Sequence, residues 1–246
     1  MAKDWRSRAR DLLVVLLTLT TGGVDAAAFL HLGHVFSSVI TGTLVLLGIA
    51  AGTHDAALAG NCGVALASYV AGVAVGALLS ARRAGRWMAG WRGRRSEAAI
   101  ARREIWPSWL TVALGLEFCV LALFCVGWEL SGGHPSGAAE QLLLANAGIA
   151  MGVQAATIRH LGEISTTYLT GTMTGVVSAL VTGRQPDGLA RSLGIFAAVI
   201  AGACASALVT AHMPALLPVV LLVPLALVIW FASARFGPRP GWQDPE

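Results

Sequence analysis

The 246-residue chain is 56% hydrophobic and only 12% charged, and its mean hydropathy is +0.70. Soluble domains carry about 25% charged residues, so this composition excludes an ordinary soluble protein. Apolar runs of about 18 residues recur along the chain, whereas an outer-membrane barrel shows short alternating segments, so a barrel is excluded as well.

Eight apolar segments follow one another and predict an all-α integral membrane protein. In chain order they cover residues 12–30, 35–52, 58–80, 109–129, 139–158, 164–182, 189–211 and 214–234. They divide the chain into a basic cytoplasmic N-terminus (1–11), a first half (12–129) that includes a basic cytoplasmic loop (81–108), an external linker (130–138), a second half (139–234) and a cytoplasmic tail (235–246).

The two halves carry the same sequence pattern. Blocks at residues 23–27, 31–33 and 41–43 recur at residues 152–156, 160–162 and 170–172, with the same offset throughout. The third apolar segment of each half also matches, at an offset that is larger by one residue. Internal repeats are the usual ground plan of transporters and channels, in which the working site lies between the halves.

Basic residues indicate how the segments cross the membrane. Eight arginines lie between Arg82 and Arg103, and further basic residues precede the first segment and follow the last. If all eight segments crossed, a cytoplasmic N-terminus would put the arginine-rich loop outside, against the positive-inside rule. If each half makes three net crossings, every basic loop is cytoplasmic. The pattern therefore predicts about six crossings, an inverted 3+3 repeat, and a bacterial inner-membrane protein with both termini in the cytoplasm.

An inverted repeat of this kind needs a broken or re-entrant helix in each half. Gly22, Gly23 and Gly33 are the candidate breakers, mirrored by Gly152 and Gly162. The alternative is a plain helix hairpin whose glycines permit close packing. The G-x-x-x-G pairs mostly predict tight contacts within one chain, and they also allow a homodimer.

The basic clusters indicate a lipid partner. Arginines next to membrane spans contact anionic lipid headgroups on the cytoplasmic side. The run between Arg82 and Arg103 is bracketed by spans and lacks a binding fold, so nucleic acid is not expected as a partner. Basic residues before the first apolar run imitate a signal peptide, but the repeat assigns that run to the mature fold.

Asp25 is the most expensive residue to place in a bilayer. It lies deep in the first apolar segment, where an unpaired charge costs several kcal/mol. Its counterpart in the second half is Gln154, which is polar but neutral. A titratable group kept in one copy alone suits a proton- or cation-coupled carrier. The alternative is a structural Asp that caps a broken helix through backbone N–H groups.

Two Thr-Gly-Thr turns begin or interrupt helical runs. They consist of Thr41, Gly42 and Thr43 in the first half and Thr170, Gly171 and Thr172 in the second. N–H groups at a helix start, together with hydroxyls, favour an anion or a polar group of a substrate. We expect the two turns to meet near mid-membrane and, with Asp25 and Gln154, to frame one site. Ordinary capping and close packing are the alternative interpretation.

Two further charged residues lie in or beside apolar segments. Glu117 is either a coupling carboxylate or a structural group paired with an arginine or a backbone donor. Arg159 is a candidate for an ion pair with Asp25 across the repeat. His31 and His160 lack the spacing of metal ligands. With no C-x-x-C motif and no enzyme signature, we expect no metal, no cofactor and no enzymatic activity.

These motifs resemble those of the bacterial membrane family known as the YoaK or DUF1275 family. The resemblance rests on the patterns at residues 24–48 and 151–172 and extends over nearly the whole chain. The family usually has Asn-Met-Thr-Gly-Asn where this chain has residues 39–43, and often has Asn at the position of Ala155. The resemblance implies about six membrane spans and adds no chemistry.

Together these patterns predict a membrane transporter or channel for a small polar solute or ion, with the site at the interface of the halves. The alternative is a non-transporting membrane scaffold, sensor or assembly factor that acts through the basic loop. A solvent-accessible Asp25 favours transport, whereas a dry core favours the scaffold.

Overall fold

A computed structural model describes residues 2–83, 108–159, 169–184 and 188–236, and within these ranges all regular secondary structure is helical. Most of the arginine-rich loop, His160, Gly162 and the end of the tail lie outside the described residues. The eight α-helices are α1 (Ala2–His31), α2 (Ile40–Thr53), α3 (Ala56–Arg83), α4 (Ser108–Leu130), α5 (Ala138–Ile158), α6 (Leu169–Val181), α7 (Leu189–His212) and α8 (Leu217–Phe236).

Six of these helices are long and apolar enough to cross a membrane. The candidate spans are Asp11–His31, Ala56–Ser80, Trp109–Leu130, Ala138–Ile158, Leu189–His212 and Pro214–Ala234. The two remaining helices, α2 and α6, have 14 and 13 residues. At 1.5 Å per residue they are about 20 Å long, which is shorter than a hydrocarbon core of about 30 Å. The chain is therefore a multi-pass membrane protein.

Helices α1 and α7 pack closely and run parallel. The carboxylate of Asp11, in the third turn of α1, lies 3.2 Å from the guanidinium of Arg191, near the start of α7. Further along both helices, Gly202 lies against the backbone carbonyl of Leu19. Both contacts advance along the two chains in the same direction, so the two helices cross the molecule in the same sense. Helix α1 begins at Ala2 and therefore includes the basic N-terminal segment from that residue onwards.

Helices α3 and α5 form a second parallel pair. Gly148 lies against the side chain of Ser68, and two turns later Gly76 lies where an added Cβ would be 2.8 Å from the Cβ of Ala156. These two pairs are the most extensive helix contacts in the described residues. Each pair joins one helix from the first half of the chain to one from the second, so the core is built from both halves.

Glycines inside α1 and α5 allow these pairs to approach. An added Cβ at Gly22 would collide with the backbone of Val199, and one at Gly152 would collide with the carbonyl of Tyr69. Helices α1 and α5 continue through these positions without a break. The expectation that Gly22, Gly23 and Gly152 interrupt helices is therefore wrong, because the absent side chains serve close packing instead.

Several helix ends meet at one face of the molecule. The indole N–H of Trp128, near the end of α4, donates to the carbonyl of Pro214, 3.0 Å away, just before α8. The ring of His31, at the end of α1, lies 5.3 Å from the ring of Trp128. Gly33 lies against the side chain of Asn61 in the second turn of α3. The ends of α1 and α4 and the starts of α3 and α8 therefore lie on the same side.

Candidate functional site

The chain folds back on itself directly after α1. The turn at residues 32–39 contains Gly33 with a φ of 80° and His34 with a φ of 57°. This left-handed region is natural for glycine and costs a histidine more. After the turn, Ser37 and Ser38 bind Asp25, which is six residues before the end of the helix. At 1.5 Å per residue, the chain has returned about 9 Å along α1 before α2 begins.

Asp25 binds this turn through four donors. Its Oδ1 accepts hydrogen bonds from the backbone N–H of Ser37 (2.9 Å), the hydroxyl of Ser37 (2.8 Å) and the backbone N–H of Ser38 (2.8 Å). Its Oδ2 accepts a hydrogen bond from the hydroxyl of Ser38. Asp25 is 8% exposed, and these donors offset the cost of burying a carboxylate. The contacts are those of a structural cap, and Oδ2 keeps lone pairs for a further donor.

The start of α2 is fixed by its own side chains. The Thr43 hydroxyl donates to the carbonyls of Phe36 and Val39, at 3.0 and 3.2 Å. The ring of Phe36 stacks on that of Phe29, with centroids 4.8 Å apart. Phe29 belongs to α1, so an aromatic contact and the Asp25 hydrogen bonds together attach the turn to the helix that precedes it.

A cavity of about 800 Å³ lies beside this attachment. Its walls come from α1, the turn, the first residues of α2 and α6, and one face of α7. The polar lining residues are Thr21, Asp25, Ser38, Thr41 and Thr170, joined by the thiol of Cys204. The rest of the lining is apolar and consists of Gly22, Ala26, Phe29, Leu30, Phe36, Val39, Ile40, Leu169, Val199, Ile200, Ala203 and Ala207.

The two Thr-Gly-Thr turns contribute unequally to this cavity. Each lies at the start of a helix, one residue after Ile40 or Leu169. Thr41 and Thr170 line the same cavity, one from each half of the chain. Thr43 is buried and Thr172 is half-buried, and neither of them lines the cavity.

The glycines of these turns do not line the cavity. An added Cβ at Gly42 would touch Val39 and Phe36, at 3.3 and 3.5 Å, whereas one at Gly171 would meet nothing within 4 Å. The space at Gly171 follows from its exposed position on α6. The first threonine of each turn, and not the glycine, is therefore the residue that reaches the cavity.

Gln154 does not share the cavity with Asp25. Its Oε1 accepts a hydrogen bond from the Thr21 hydroxyl (2.6 Å), and its Nε2 donates to the carbonyl of Leu17 (3.3 Å). The side-chain carboxamide of Gln154, on α5, is thus directed at α1. Thr21 also lines the cavity, so this hydroxyl connects the wall of the cavity to the contact between α1 and α5.

The remaining charged candidates do not form ion pairs with each other. Arg159 lies exposed at the C-terminal cap of α5. Asp25 binds Ser37 and Ser38, and among the described residues no ion pair joins it to Arg159. Glu117 is fully buried in α4, and neither of its carboxylate oxygens has a hydrogen-bond partner. Glu117 therefore lacks, in this structure, the arginine or backbone donor that its structural interpretation requires.

Part of the cavity wall has no signal in the sequence. Phe29 and Phe36 are ordinary apolar residues in an apolar chain, and only their mutual stacking reveals a role. The α7 wall, from Val199 to Ala207, carries one polar side-chain atom among its lining residues, the sulfur of Cys204. Within the described residues, no group of three His, Cys, Asp or Glu side chains is arranged to hold a metal ion.

Comparisons with known proteins agree on one family. The family profile described as "Protein of unknown function (DUF1275)" matches residues 13–233. The chain is 32% identical to the UPF0700 transmembrane protein YoaK of Bacillus subtilis (strain 168) over 178 residues, which is 71% of this chain and 68% of that protein. No solved structure matches the chain.

Proposed function

The chain belongs to the DUF1275 family of transmembrane proteins, and we propose that it moves a small solute across the membrane through the cavity beside Asp25. The observation that supports this most is the composition of the cavity wall. Asp25, Ser38 and Thr41 come from the first half, whereas Thr170 and Cys204 come from the second. A site lined by both halves is what a repeat transporter uses to alternate its access.

The lining favours an organic solute over a bare ion. An inorganic ion must replace its hydration shell with several protein oxygens or N–H groups. Here most lining residues are apolar, and Asp25 already binds four donors. A volume of about 800 Å³ lies within the range of small-molecule sites, in which a few polar groups orient a largely apolar ligand. The proposed solute has an apolar body and one hydrogen-bond donor that meets Oδ2 of Asp25.

An inverted repeat accounts for the helix contacts. Helices α1 to α4 of the first half correspond in order to α5 to α8 of the second half. Replacing each helix by its counterpart turns the parallel pair α1–α7 into the parallel pair α5–α3. The contact of α1 with α8 likewise exchanges with that of α5 with α4. Six crossings give three per half, and an odd number of crossings inverts one half relative to the other. In this arrangement α2 and α6 are the re-entrant pieces.

The proposed orientation has both termini in the cytoplasm. The arginines between Arg82 and Arg103 then lie on the cytoplasmic side, against anionic lipid headgroups. The face that carries His31, Trp128 and Pro214 is then external.

Two native cysteines test whether the cavity is open to water. Cys204 and Cys119 are both exposed on spanning helices, but of these two only Cys204 lines the cavity. In a chain that keeps one of them and replaces the other native cysteines by alanine, a hydrophilic methanethiosulfonate reagent should modify Cys204. It should leave Cys119 unmodified, because Cys119 faces lipid. The reagent is applied to intact cells and to inverted membrane vesicles, and modification is read by mass spectrometry.

A third variant reports orientation in the same experiment. Ser136→Cys, in the exposed loop after α4, should react in intact cells when all native cysteines are replaced. Reaction only in inverted vesicles would show that the proposed orientation is reversed. If Cys204 stays as unreactive as Cys119 from both sides, the cavity is dry, the transport proposal fails, and the scaffold function is favoured.

A further inference from the structure

Glu117 is the least compensated ionisable residue in the described part of the chain. It lies well inside the span Trp109–Leu130 and has no exposed surface. Both carboxylate oxygens are buried without a hydrogen-bond partner. Asp25, an acid inside the span Asp11–His31, differs completely, because it receives four hydrogen bonds. The two acids therefore occupy opposite electrostatic situations within one membrane domain.

On the helices packed against α4, which are α3, α5 and α8, the described side chains inside the spans include no cation. The described part of α8 carries no titratable side chain between Leu217 and Ala234. The remaining titratable groups on α3, α4 and α5 inside the spans are Cys62, Tyr69, Cys119, Cys125, Glu129 and Glu140. None of them is positively charged. On α1, His31 touches Trp128 at the far end of α4, about 16 Å from Glu117 at 1.5 Å per residue.

An ionised carboxylate is too costly in this position. A buried charge without a donor or counter-ion loses its hydration and gains nothing in return. A protonated carboxylic acid is neutral and leaves only weaker polar groups unpaired. Carboxyl groups in the interior of a helix bundle serve as proton relays in pumps and transporters.

We propose that Glu117 binds a proton in this conformation and is the proton site to which solute movement is coupled. The coupling rests on the proposed transport function, whereas the protonation does not. Loss of the proton would leave a bare charge on a side chain that has no exposed surface, and the helices around it would have to move until water or a donor reached it. Helix α8 also contacts α1 and α7, which form walls of the cavity, so this movement reaches the solute site.

Infrared spectroscopy tests the protonation without any knowledge of the solute. Purified protein at neutral pH should show the C=O stretching band of a protonated carboxylic acid, with slow hydrogen–deuterium exchange. Glu117→Gln, a neutral side chain of nearly the same shape, should remove this band completely. The matched control Asp25→Asn should leave it unchanged, because Asp25 is bound as a carboxylate.

A measurement on the wild-type chain covers the case in which a variant does not fold. Protein made with carboxyl-¹³C glutamate should show the band shifted to lower frequency, which assigns it to a glutamic acid. A wild-type spectrum without the band, a band that persists in Glu117→Gln, or a band removed by Asp25→Asn would each overturn the proposal. Cys204 labelling is scored separately, so a failure of the transport function and a failure of this protonation are distinguishable.

Discussion

Asp25 and Gln154 occupy corresponding positions in the two halves and do different things. Asp25 binds Ser37 and Ser38 of its own half and fixes the turn that leads into α2. Gln154 crosses to the other half and binds Thr21 and the backbone of α1. Matching positions of the sequence repeat therefore contribute to the cavity wall in the first half and to a contact between helices in the second.

Corresponding glycines in the third apolar segment of each half behave alike. Gly72 lies against the backbone of Ile149 in α5, and Gly202 lies against the backbone of Leu19 in α1. The glycine contacts between the halves are therefore the same in both copies of the repeat, whereas the hydrogen bonds of Asp25 and Gln154 differ. Under the proposed transport function this division is useful, since symmetric packing would permit both halves to move and an asymmetric polar group would give the solute one orientation.

The largest effect is expected from Asp25→Ala. This change removes the acceptor of four hydrogen bonds and leaves two backbone N–H groups without a partner in a buried turn. At about 1–3 kcal/mol for each buried unsatisfied group, the free energy of unfolding should fall by about 3 kcal/mol or more. Thermal unfolding in detergent measures the loss, and the matched variant Gln154→Ala should lose less than half as much. Equal losses would show that the two positions are not different after all.

Intermediate effects are expected where the glycines meet a backbone. Gly72→Ala and Gly202→Ala should each lower the free energy of unfolding by about 1–3 kcal/mol, because the added Cβ overpacks a helix contact. Gly48→Ala is the control, since a Cβ there meets nothing within 4 Å and alanine favours a helix by about 1 kcal/mol. The symmetry in packing would be refuted if only one of the two glycines were sensitive, or if Gly48→Ala were equally damaging.

The smallest effect concerns the contact between Thr21 and Gln154. Hydrogen bonds between membrane helices contribute about 0.6 kcal/mol on average, so Thr21→Val should cost about that much and Gln154→Leu about 1 kcal/mol. A double-mutant cycle of the two changes should show a coupling of about 0.6 kcal/mol. The cycle of Thr21→Val with Asp25→Asn serves as the comparison and should be nearly additive. Additivity in the first cycle would contradict the contact.

The membrane class, the helix positions and the six spans could be predicted from the sequence, because each is a local property. A bilayer requires about 20 apolar residues per span, and such segments are visible one at a time. The helix starts at residues 40 and 169 were likewise marked by their Thr-Gly-Thr turns. Arg159 and Glu117 were recognised as unusual for the same reason, because a charge in an apolar run is visible without a structure.

The partners of those residues could not be predicted, because they come from segments that are distant in the chain. Ser37 and Ser38 lie twelve and thirteen residues after Asp25, and nothing in this spacing shows that the chain folds back to it. Gly22 looked like a helix breaker because glycine has a low helix propensity, and only the approach of Val199 shows why it is there. Tertiary packing outweighs propensity at such positions.

By itself, the sequence determined the apolar composition, the repeat and the placement of charge, since these depend on residues alone. Only the tertiary structure decided that Asp25 is satisfied while Glu117 is not, that Gln154 is directed away from the cavity, and that Thr41 and Thr170 share one. The physical reason is that the cost of a buried polar group depends on which donors and acceptors reach it, and those groups lie on helices brought together by folding.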